Sequence, residues 1–342
     1  MIDPAREIKL RIRNIKKKYP NKLRVFTISS TAKIEDSSYL TPVRSSKKIV
    51  IIGIVVFKLK DIDSIKKIIN ENFNYIFLDN DLKRLKNSTK NIYDLYANYF
   101  NPKKIMAYKP NDITVDACWS WIYNNTCTKK TNVLIVGMGN IGTKLSLKLY
   151  ESGKNIYVTR KNHKKGAENV KLIKKFSNKN YGFIKYVKNI KGIISKVNLI
   201  ILCANKNAVL NYDIAKKIKK NSTIIDLGKN NLTSEAIKFT EKNMIKSYRL
   251  DIGTYLLSHI ESSIELKKNK LYGRKKYKKF NLISGGYIGS ENDVVVDNYK
   301  DPKFVLGIAN GTGDFKTRTN NLSRSLLKQI LHKHKKNEET KT

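Results

Sequence analysis

The sequence predicts an α/β protein in which an N-terminal αβ domain is followed by a doubly wound parallel sheet and by a C-terminal segment that completes the cleft. Three observations support this fold class. Short apolar runs at residues 49–57, 133–136 and 197–203 have the β-branched and leucine composition of buried parallel strands. Helical patterns with one apolar face alternate with these runs, as they do in βαβ units. A glycine-rich turn directly follows the run at 133–136.

The first third of the chain carries its own αβ pattern. The sequence predicts a helix that includes residues 62–69, and another at 81–99 that is capped by the turn at 79–81. Residues 29–46 are polar and are interpreted as a loop, in which Lys33, Tyr39 and Arg44 lie. The remaining predicted elements are a basic helix at 5–19, strands at 23–29, 49–57, 75–78 and 104–107, and a helix that follows the turn at 110–112.

A glycine turn lies between the strand at 133–136 and a predicted helix at 140–150. Gly137 suits the tight turn, Gly139 lets the backbone approach a phosphate, and Gly142 lets the helix pack on the strand. This unit seats the pyrophosphate of a dinucleotide on a helix N-terminus, so Asn140 and Ile141 in the first turn are predicted cofactor contacts. The alternative is a structural βαβ unit whose glycines serve turn geometry alone.

The end of the next strand indicates which dinucleotide is bound. An NAD enzyme places Asp or Glu about 20 residues past the first glycine. Here Thr159, Arg160 and Lys161 occupy that place, and no carboxylate follows before Glu168. One charge-assisted hydrogen bond to a 2′-phosphate contributes about 1.5 to 3 kcal/mol, so NADP is predicted over NAD. The alternative is that these basic side chains are merely solvated.

The carboxyl ends of two further predicted strands face the same cofactor. Residues 197–203 and 222–227 end at Cys203, Ala204 and Gly228, which are therefore predicted cofactor contacts. We predict three parts: an N-terminal αβ domain for substrate and catalysis at 1–125, an NADP-binding Rossmann domain at 130–250, and a C-terminal segment at 251–342. The last part contains a glycine-dense turn at 284–290, strands at 294–296 and 304–308, and a helix at 321–334.

The charge balance is strongly basic, with a formal net charge of +41. Such a balance raises the question of a nucleic-acid partner. The basic residues are spread along the whole chain, and Lys, Asn, Ile and Tyr are abundant together, as AT-rich coding produces. We therefore interpret the charge as compositional and do not expect a nucleic-acid partner, although it favours anionic substrates and phosphorylated cofactors.

The cysteines and the apolar runs bear on the compartment. Cys118, Cys127 and Cys203 suggest neither a disulfide framework nor metal-ligand spacing. The N-terminus lacks the apolar region of an export signal, and the run at 49–57 is too short to span a bilayer. A reduced, cytoplasmic protein without a bound metal is expected, and a homodimer is compatible with the sequence.

The order of these landmarks resembles the two-domain NADP-dependent dehydrogenases of the shikimate dehydrogenase and methylenetetrahydrofolate dehydrogenase type. The resemblance rests on Lys109-Pro-Asn-Asp-Ile-Thr114 before the Rossmann domain, and on the segments at 225–228, 250–252 and 284–289. It implies a cleft between an αβ domain and a Rossmann domain. Lys109, Asn111 and Asp112 would face this cleft from one side, and Asp226, Asp251 and the 284–290 turn from the other.

Hydride transfer requires a positioned nicotinamide, a bound substrate and a proton donor or acceptor near the reacting carbon. Lys109 is the predicted proton donor or electrostatic clamp, and Asp112 the predicted catalytic acid or helix cap. His259 is an alternative acid or base, while Cys203 is interpreted as a small core residue beside the cofactor.

The predicted function is an NADP-dependent dehydrogenase or reductase that acts on a carbonyl or imine carbon of a small, anionic substrate. One alternative is a nucleotide-sensing or RNA-binding protein that uses the Rossmann unit as a ligand module. Another is a reductase of a carrier-bound or tRNA-bound acyl group, which a basic surface would suit.

Overall fold

The computed structural model describes residues 4–31, 37–83, 89–125, 131–176, 182–204, 208–269, 272–278, 280–317 and 327–330. The chain forms two compact units, 1–259 and 260–342, and each is described by itself. The helices are α1 (Pro4–Lys18), α2 (Lys60–Asn72), α3 (Ile92–Tyr96), α4 (Pro110–Asn125), α5 (Asn140–Glu151), α6 (His163–Phe176), α7 (Tyr212–Ala215), α8 (Ser234–Lys242) and α9 (Gly253–Asn269). The strands are β1 (Leu23–Ser30), β2 (Tyr39–Leu40), β3 (Arg44–Ser45), β4 (Ile49–Val56), β5 (Tyr75–Asp79), β6 (Ile105–Tyr108), β7 (Asn132–Val136), β8 (Asn155–Thr159), β9 (Ile184–Tyr186), β10 (Leu199–Leu202), β11 (Thr223–Asp226), β12 (Lys246–Arg249), β13 (Arg274–Tyr277), β14 (Phe280–Ser284), β15 (Val294–Val296), β16 (Val305–Ala309) and β17 (Phe315–Lys316).

The first sheet of the larger unit has the strand order β2-β4-β1-β5-β6, with β3 also paired to β4. Strands β4, β1, β5 and β6 are parallel, so their carboxyl ends lie along one edge. Helices α1 and α2 cover one face with isoleucines at helical spacing, including Ile8, Ile12 and Ile15 from α1. The polar stretch at 29–46, predicted to be a loop, instead contributes β2 and β3 as antiparallel edge strands.

The predicted helix at 81–99 is wrong in its first part, because the described residues 81–83 and 89–91 are not helical. Of the described residues in this range, α3 and a short 3-10 turn at Ala97–Tyr99 are helical, and Asn91 is the N-cap of α3. Asp79 and Asp81 do not cap this helix. Asp81 Oδ2 instead accepts a hydrogen bond from Asn111 N at 2.8 Å, in the first turn of α4. The carboxylates therefore resemble local caps in the sequence, but Asp79 also binds the distant Ser30 and Asp81 binds the distant Asn111.

The second sheet of the larger unit has the order β12-β11-β10-β7-β8-β9, and every pair in it is parallel. This is the doubly wound order of dinucleotide-binding sheets, with the switch point between β7 and β10. Alternate residues of β7 pack on opposite layers: Val133 and Ile135 contact the α5 and α6 side, and Leu134 and Val136 the α7 and α8 side. The predicted α/β fold class with a Rossmann-type sheet is confirmed.

Helix α4 connects the two sheets of the larger unit. It begins at Pro110, a residue suited to the first helical position, so the predicted turn at 110–112 is the first turn of the helix itself. Two ion pairs bind α4 to α5, Lys144 with Asp112 and Lys148 with Asp116. α4 is therefore fixed against the Rossmann sheet along its length.

The smaller unit contains the end of α9 and a sheet in the order β13-β14-β15-β16-β17. Its described core includes Leu282, Val294, Val296 and Ile330. The lysine-rich stretch after α9 includes strand β13. Of the predicted terminal helix at 321–334, residues 327–330 are helical and the rest lies outside the described residues, as does Cys127.

No helix within the described ranges combines the length and hydrophobicity that crossing a bilayer requires.

Candidate functional site

The carboxyl ends of the parallel strands in the two sheets of the larger unit face a shared cavity of about 510 Å³. Ser29 and Ser30 from the end of β1 lie on one side, and Gly139, Cys203 and Gly228 from the Rossmann sheet on the other. The described residues that line it include Lys83 and Lys229 but no carboxylate. A cavity of this size and charge suits an anionic ligand of cofactor dimensions.

The predicted glycine turn forms the Rossmann wall of this cavity. Gly137 has φ +104, and a Cβ built on it would lie 2.8 Å from Ala204 N. A Cβ on Gly142 would lie 2.0 Å from Gly137 O, so only glycine allows α5 to approach the turn this closely. A Cβ on Gly139 would meet no atom within 4 Å.

The N-terminus of α5 is available to an anion. Gly139 is the N-cap, and no side chain caps this end of the helix. Asn140 and Ile141 of the first turn line the cavity together with Gly139. Amide groups at a helix start, in front of open space, are the arrangement that binds a pyrophosphate. These residues therefore fit a dinucleotide.

A second carboxyl-end loop, at 226–231, presents Gly228 and Lys229 to the cavity. Buried Asp226 holds this loop: its Oδ1 accepts from Gly228 N at 2.9 Å and from Asn231 Nδ2 at 2.7 Å, and its Oδ2 accepts from Asn231 N at 3.1 Å. A carboxylate with three such donors orders the backbone. Asp226 therefore supports the loop.

The basic cluster after β8 lies beyond the glycine turn. Thr159 O accepts from Gly137 N at 2.9 Å, which joins the end of β8 to the turn. Arg160 is half-buried, and with the Asn169 amide oriented to satisfy its partners, Asn169 Oδ1 accepts from Arg160 Nη1 at 3.0 Å. Lys161 is exposed beside it. Arg160 is thus positioned by α6, whereas Lys161 points to solvent.

The predicted catalytic pair lies at the start of α4. Lys109 Nζ is 3.4 Å from Asp112 Oδ2, and Lys144 Nζ contacts Asp112 Oδ1. Partial burial acts to raise the pKa of Asp112, but the hydrogen bond and charge of Lys144, together with Lys109, lower it below its usual value. Asp112 is therefore an ionised partner of two ammonium groups. Pro110 and Asn111 beside the pair line the cavity, and the Lys109 side chain is half exposed.

Sequence reasoning missed a buried ion network under the serine edge. Asp79 is completely buried, and its Oδ2 accepts from Ser30 N at 3.0 Å, from Ser30 Oγ at 3.1 Å and from Lys83 Nζ at 2.6 Å. Lys83 also donates to Ser30 O and lies 3.8 Å from Asp81 Oδ2. Desolvation, the largest effect, raises the pKa of Asp81 despite the nearby lysine. The network fixes the serine edge against β5 and α4.

A second cavity of about 290 Å³ adjoins the first. Its apolar lining includes Ile51, Ile113 and Leu256, and Arg44 and Arg249 provide cations. Asp226 and Asp251, which the resemblance placed in the cleft, also line it. Arg44 forms a two-point ion pair with Asp251, with Nη2 to Oδ1 at 2.7 Å and Nη1 to Oδ2 at 3.2 Å. Partial burial acts to raise the pKa of Asp251, but the hydrogen bond from Arg44 and the Gly253 amide lower it below the usual value. The pair connects the first sheet to the segment after β12.

Tyr39 and Lys229 lie where the two cavities meet. Lys229 Nζ donates to Tyr39 Oη at 2.6 Å, and Nζ lies 4.5 Å from the centroid of the Tyr39 ring. Both side chains line both cavities. Tyr39 was noted in the sequence only as a loop residue, and the one local signal for Lys229 is its position directly after Gly228.

The other candidate groups are less suited to chemistry. Cys203 follows β10, and desolvation raises the pKa of its thiol well above the ordinary value, which agrees with a core role beside the turn. Desolvation lowers the pKa of His259, although Asp116 and Asp112 act to raise it. His259 lines neither cavity. The part of the chain that the structure describes contains no group of His, Cys, Asp and Glu side chains that could hold a metal ion.

Residues 132–250 match the family model described as the NAD binding domain of 6-phosphogluconate dehydrogenase. The match covers roughly a third of the chain and coincides with the second sheet and its helices. This segment is an NAD(P)-binding domain of the dehydrogenase type. The predicted class of NAD(P)-dependent dehydrogenase or reductase is thereby confirmed at the level of the cofactor-binding domain. No curated protein matches the chain significantly.

Several solved structures are similar at low identity. L-tryptophan dehydrogenase from Nostoc punctiforme is 12% identical with a TM-score of 0.41, over 69% of this chain and 71% of that one. Quinate dehydrogenase from Corynebacterium glutamicum in complex with NAD is 11% identical with a TM-score of 0.40, over 72% and 94%. A shikimate dehydrogenase in complex with NADP+ is 13% identical with a TM-score of 0.42, over 73% and 91%. At these identities and TM-scores, the similarity shows neither the substrate nor the cofactor preference of this chain. The assignment of residues 132–250 to NAD(P) binding therefore rests on the match to the family model.

Proposed function

We propose that the protein is an NADP-dependent oxidoreductase that transfers hydride to or from a carbonyl or imine carbon of a small, anionic metabolite. The observation that carries this proposal is the uncapped start of α5 beside Gly139, open to a cavity that has lysines and no carboxylate among its described lining residues. The amides of Gly139, Asn140 and Ile141 would bind the pyrophosphate. Cys203, Ala204 and Gly228 would lie along the nicotinamide half.

The preference for NADP is proposed from the strand end at 159–161. Arg160 is held by Asn169 and would form a charge-assisted hydrogen bond with the 2′-phosphate, while Lys161 adds charge from solvent. The carboxylate that would accept from a ribose 2′-hydroxyl is missing from the sequence at this place. We therefore propose that Arg160 distinguishes NADP from NAD, and that the preceding residue, Thr159, sets the backbone position of Arg160.

The bound cofactor supplies or accepts the hydride. The residues of this chain bind and orient the cofactor and the substrate, and they exclude water from the reacting carbon. Lys109 and Asp112 line neither cavity but flank Pro110 and Asn111, which line the larger one. They are proposed as an electrostatic pair beside this cavity, where Lys109 would attract an anionic substrate and ionised Asp112 would orient it. Lys229 adds positive charge on the cavity wall, whereas the charge of Lys83 is offset by Asp79. We also propose the three-part organisation with boundaries near 125–130 and 250–251.

The proposal is tested by titrating the full chain with NADPH, NADP+, NADH and NAD+, and with 2′,5′-ADP against 5′-ADP, by fluorescence and thermal shift. We expect NADPH to bind roughly 10- to 100-fold more tightly than NADH, as one charge-assisted hydrogen bond predicts. Arg160→Ala should abolish this preference. Lys174→Ala is the control, since Lys174 is an exposed basic residue in the last turn of the neighbouring helix α6.

Equal stabilisation by NADH and NADPH, with Arg160→Ala indifferent, would remove the NADP assignment. Catalytic turnover of the NADPH-loaded protein is measured separately with glyoxylate, pyruvate and 2-oxobutyrate, each with and without ammonium. Salt-sensitive binding of RNA without any NADPH oxidation would favour a nucleic-acid-binding protein instead.

A further inference from the structure

We propose that Tyr39 is the proton donor of the reaction and that the Lys229 ammonium stabilises the phenolate which the transfer leaves. This inference rests on the proposed function, since it concerns the same site. The two cavities share a short wall, and both Tyr39 and Lys229 belong to it. The glycine-turn residues line only the larger cavity, so a cofactor seated there would meet a substrate from the smaller one at this wall. A proton donor must lie at this place.

The hydrogen bond between the two side chains fixes where the phenolic hydrogen points. A lysine ammonium carries only donors, so Lys229 Nζ donates and Tyr39 Oη accepts, at 2.6 Å. The hydrogen of Tyr39 Oη must then point away from Lys229. It is therefore available to a substrate oxygen or nitrogen in the cavity. The ammonium beside Oη also stabilises the negative charge that develops on this oxygen as the proton leaves.

The loop at 226–231 holds Lys229 in an unusual backbone conformation. Lys229 has φ +61 and Asn230 has φ +56, although neither residue is glycine. Such residues cost stability and persist where the surroundings determine them. Here Asp226 supplies the constraint by binding Gly228 and Asn231 on either side. The strained turn directs the Lys229 side chain across the cavity to Tyr39, which strand β2 holds by its pairing with Val55 of β4.

The other candidate donors near this wall are engaged or unsuited. Lys83 is bound to Asp79 and Ser30, and Lys109 is paired with Asp112. Tyr108 lines the smaller cavity but is buried, and desolvation raises the pKa of this phenol well above its ordinary value, which opposes loss of its proton. Tyr39 combines a hydroxyl at the cavity with a cation beside its oxygen.

The proposed step conserves atoms and electrons. In the reductive direction, hydride from the reduced nicotinamide forms the new C–H bond, and the π electrons of the C=O or C=N bond move to the oxygen or nitrogen. That atom takes the proton from Tyr39 Oη, which becomes a phenolate paired with the Lys229 ammonium. Water from the cavity mouth then returns a proton to Tyr39. The reverse steps apply to oxidation.

The first test measures the reactivity of Tyr39 without cofactor or substrate. The full chain is treated with benzenesulfonyl fluoride, whose sulfur the phenolic oxygen attacks, forming an aryl sulfonate ester as fluoride leaves. Tyr99 is the matched control, because Lys66 Nζ lies 4.5 Å from its ring centroid, the same distance as in the Tyr39 pair. Tyr99 is also 58% exposed, more than the half-buried Tyr39, so access alone would make Tyr99 faster.

We expect Tyr39 to be labelled at least about 10-fold faster than Tyr99, measured by peptide mass spectrometry. Lys229→Met should bring the rate at Tyr39 down to that of Tyr99, and Lys229→Arg should retain much of it because it keeps the cation. Circular dichroism of each variant verifies the fold. Labelling of Tyr39 no faster than Tyr99, or a rate that Lys229→Met leaves unchanged, would overturn the inference.

The second test measures turnover of the NADPH-loaded protein with the 2-oxo acids named above. Tyr39→Phe should lower kcat by about 100-fold or more while the NADPH dissociation constant stays unchanged, and Tyr99→Phe should behave as the parent. Parental kcat in Tyr39→Phe would overturn the inference. If the parent binds NADPH and shows fast, Lys229-dependent labelling of Tyr39 but reduces none of the acids, the Tyr39–Lys229 pair is supported and the proposed substrate class is what fails.

Discussion

Arg44 and Asp251 lie 207 positions apart in the sequence and form a two-point ion pair beside the smaller cavity. Gly253 makes room for it, since a Cβ there would lie 1.9 Å from Arg44 Nη1. The pair joins strand β3 of the first sheet to the segment that leaves the Rossmann sheet after β12.

This ion pair predicts a modest, pH-dependent coupling. The Asp251 side chain is 68% exposed, so a double-mutant cycle of Arg44→Leu and Asp251→Asn should give a coupling of less than about 1 kcal/mol at pH 7. In the folded protein the pKa of Asp251 is lowered below the value of about 4 that it has in the unfolded chain. The contribution of the pair to stability is therefore fully present above this unfolded pKa, and it is lost as the pH falls through the folded pKa. Urea unfolding between pH 7 and pH 3 measures it, and a coupling that grows toward pH 3 would contradict the assignment.

Gly139→Ala separates cofactor binding from folding. The backbone of Gly139, with φ −83, accepts any residue, and the added methyl group would enter open space. The unfolding free energy should therefore change by less than about 0.5 kcal/mol. The affinity for NADPH should fall at least 10-fold, since the methyl group occupies the space where the pyrophosphate approaches.

Gly192→Ala is the control for this substitution, because a Cβ on Gly192 also meets nothing within 4 Å but lies outside both cavities. Parental NADPH affinity in Gly139→Ala, measured by fluorescence titration, would mean that the pyrophosphate does not pass over this turn.

Lys83→Met should destabilise the protein strongly. The substitution would leave the completely buried Asp79 carboxylate without its ammonium partner. We expect the unfolding free energy to fall by about 3 kcal/mol. Lys66→Met is the matched control, because Lys66 pairs with the half-exposed Asp63 on the surface and should cost less than about 1 kcal/mol. Similar small losses in the two variants, measured by urea unfolding, would show that Lys83 does not neutralise Asp79.

Lys109→Met tests the catalytic pair predicted from the sequence. If Lys109 attracts an anionic substrate, the substitution should raise KM about 10-fold and leave the NADPH dissociation constant unchanged, the signature of lost substrate binding. Lys144→Met provides the comparison, since Lys144 binds the same Asp112 from helix α5. Parental kcat/KM in Lys109→Met would remove this lysine from the chemistry.

The Rossmann half was predictable because its signal is local. Gly137, Gly139 and Gly142 lie within six positions of one another, after an apolar strand, and their order alone specifies the turn. The first part of the helix predicted at 81–99 was wrong because Asp79 and Asp81 look like caps, whereas Asp79 also accepts from Ser30 and Asp81 accepts from Asn111, both far away in the chain.

The part of the cavity lining outside the glycine turn and the ends of the Rossmann strands was not predictable, for a related reason. Tyr39, Lys83 and Lys229 are single members of a chain with 69 Lys and Arg residues and 19 Tyr residues. No spacing distinguishes them, because their importance arises from strands that pair across the sheet and from carboxylates brought near by the fold. Only the place of Lys229 after Gly228 gave a local indication.

Helix α4 has a mechanical consequence for the way ligands enter. Its start is fixed to the first sheet by the bond between Asn111 N and Asp81, and its length is fixed to α5 by two lysine–aspartate pairs. The helix is thus attached both to the first sheet and to the Rossmann sheet, on either side of the opening between them. We therefore expect raised ionic strength, which weakens the exposed lysine–aspartate pairs, to loosen this attachment and to speed nucleotide exchange.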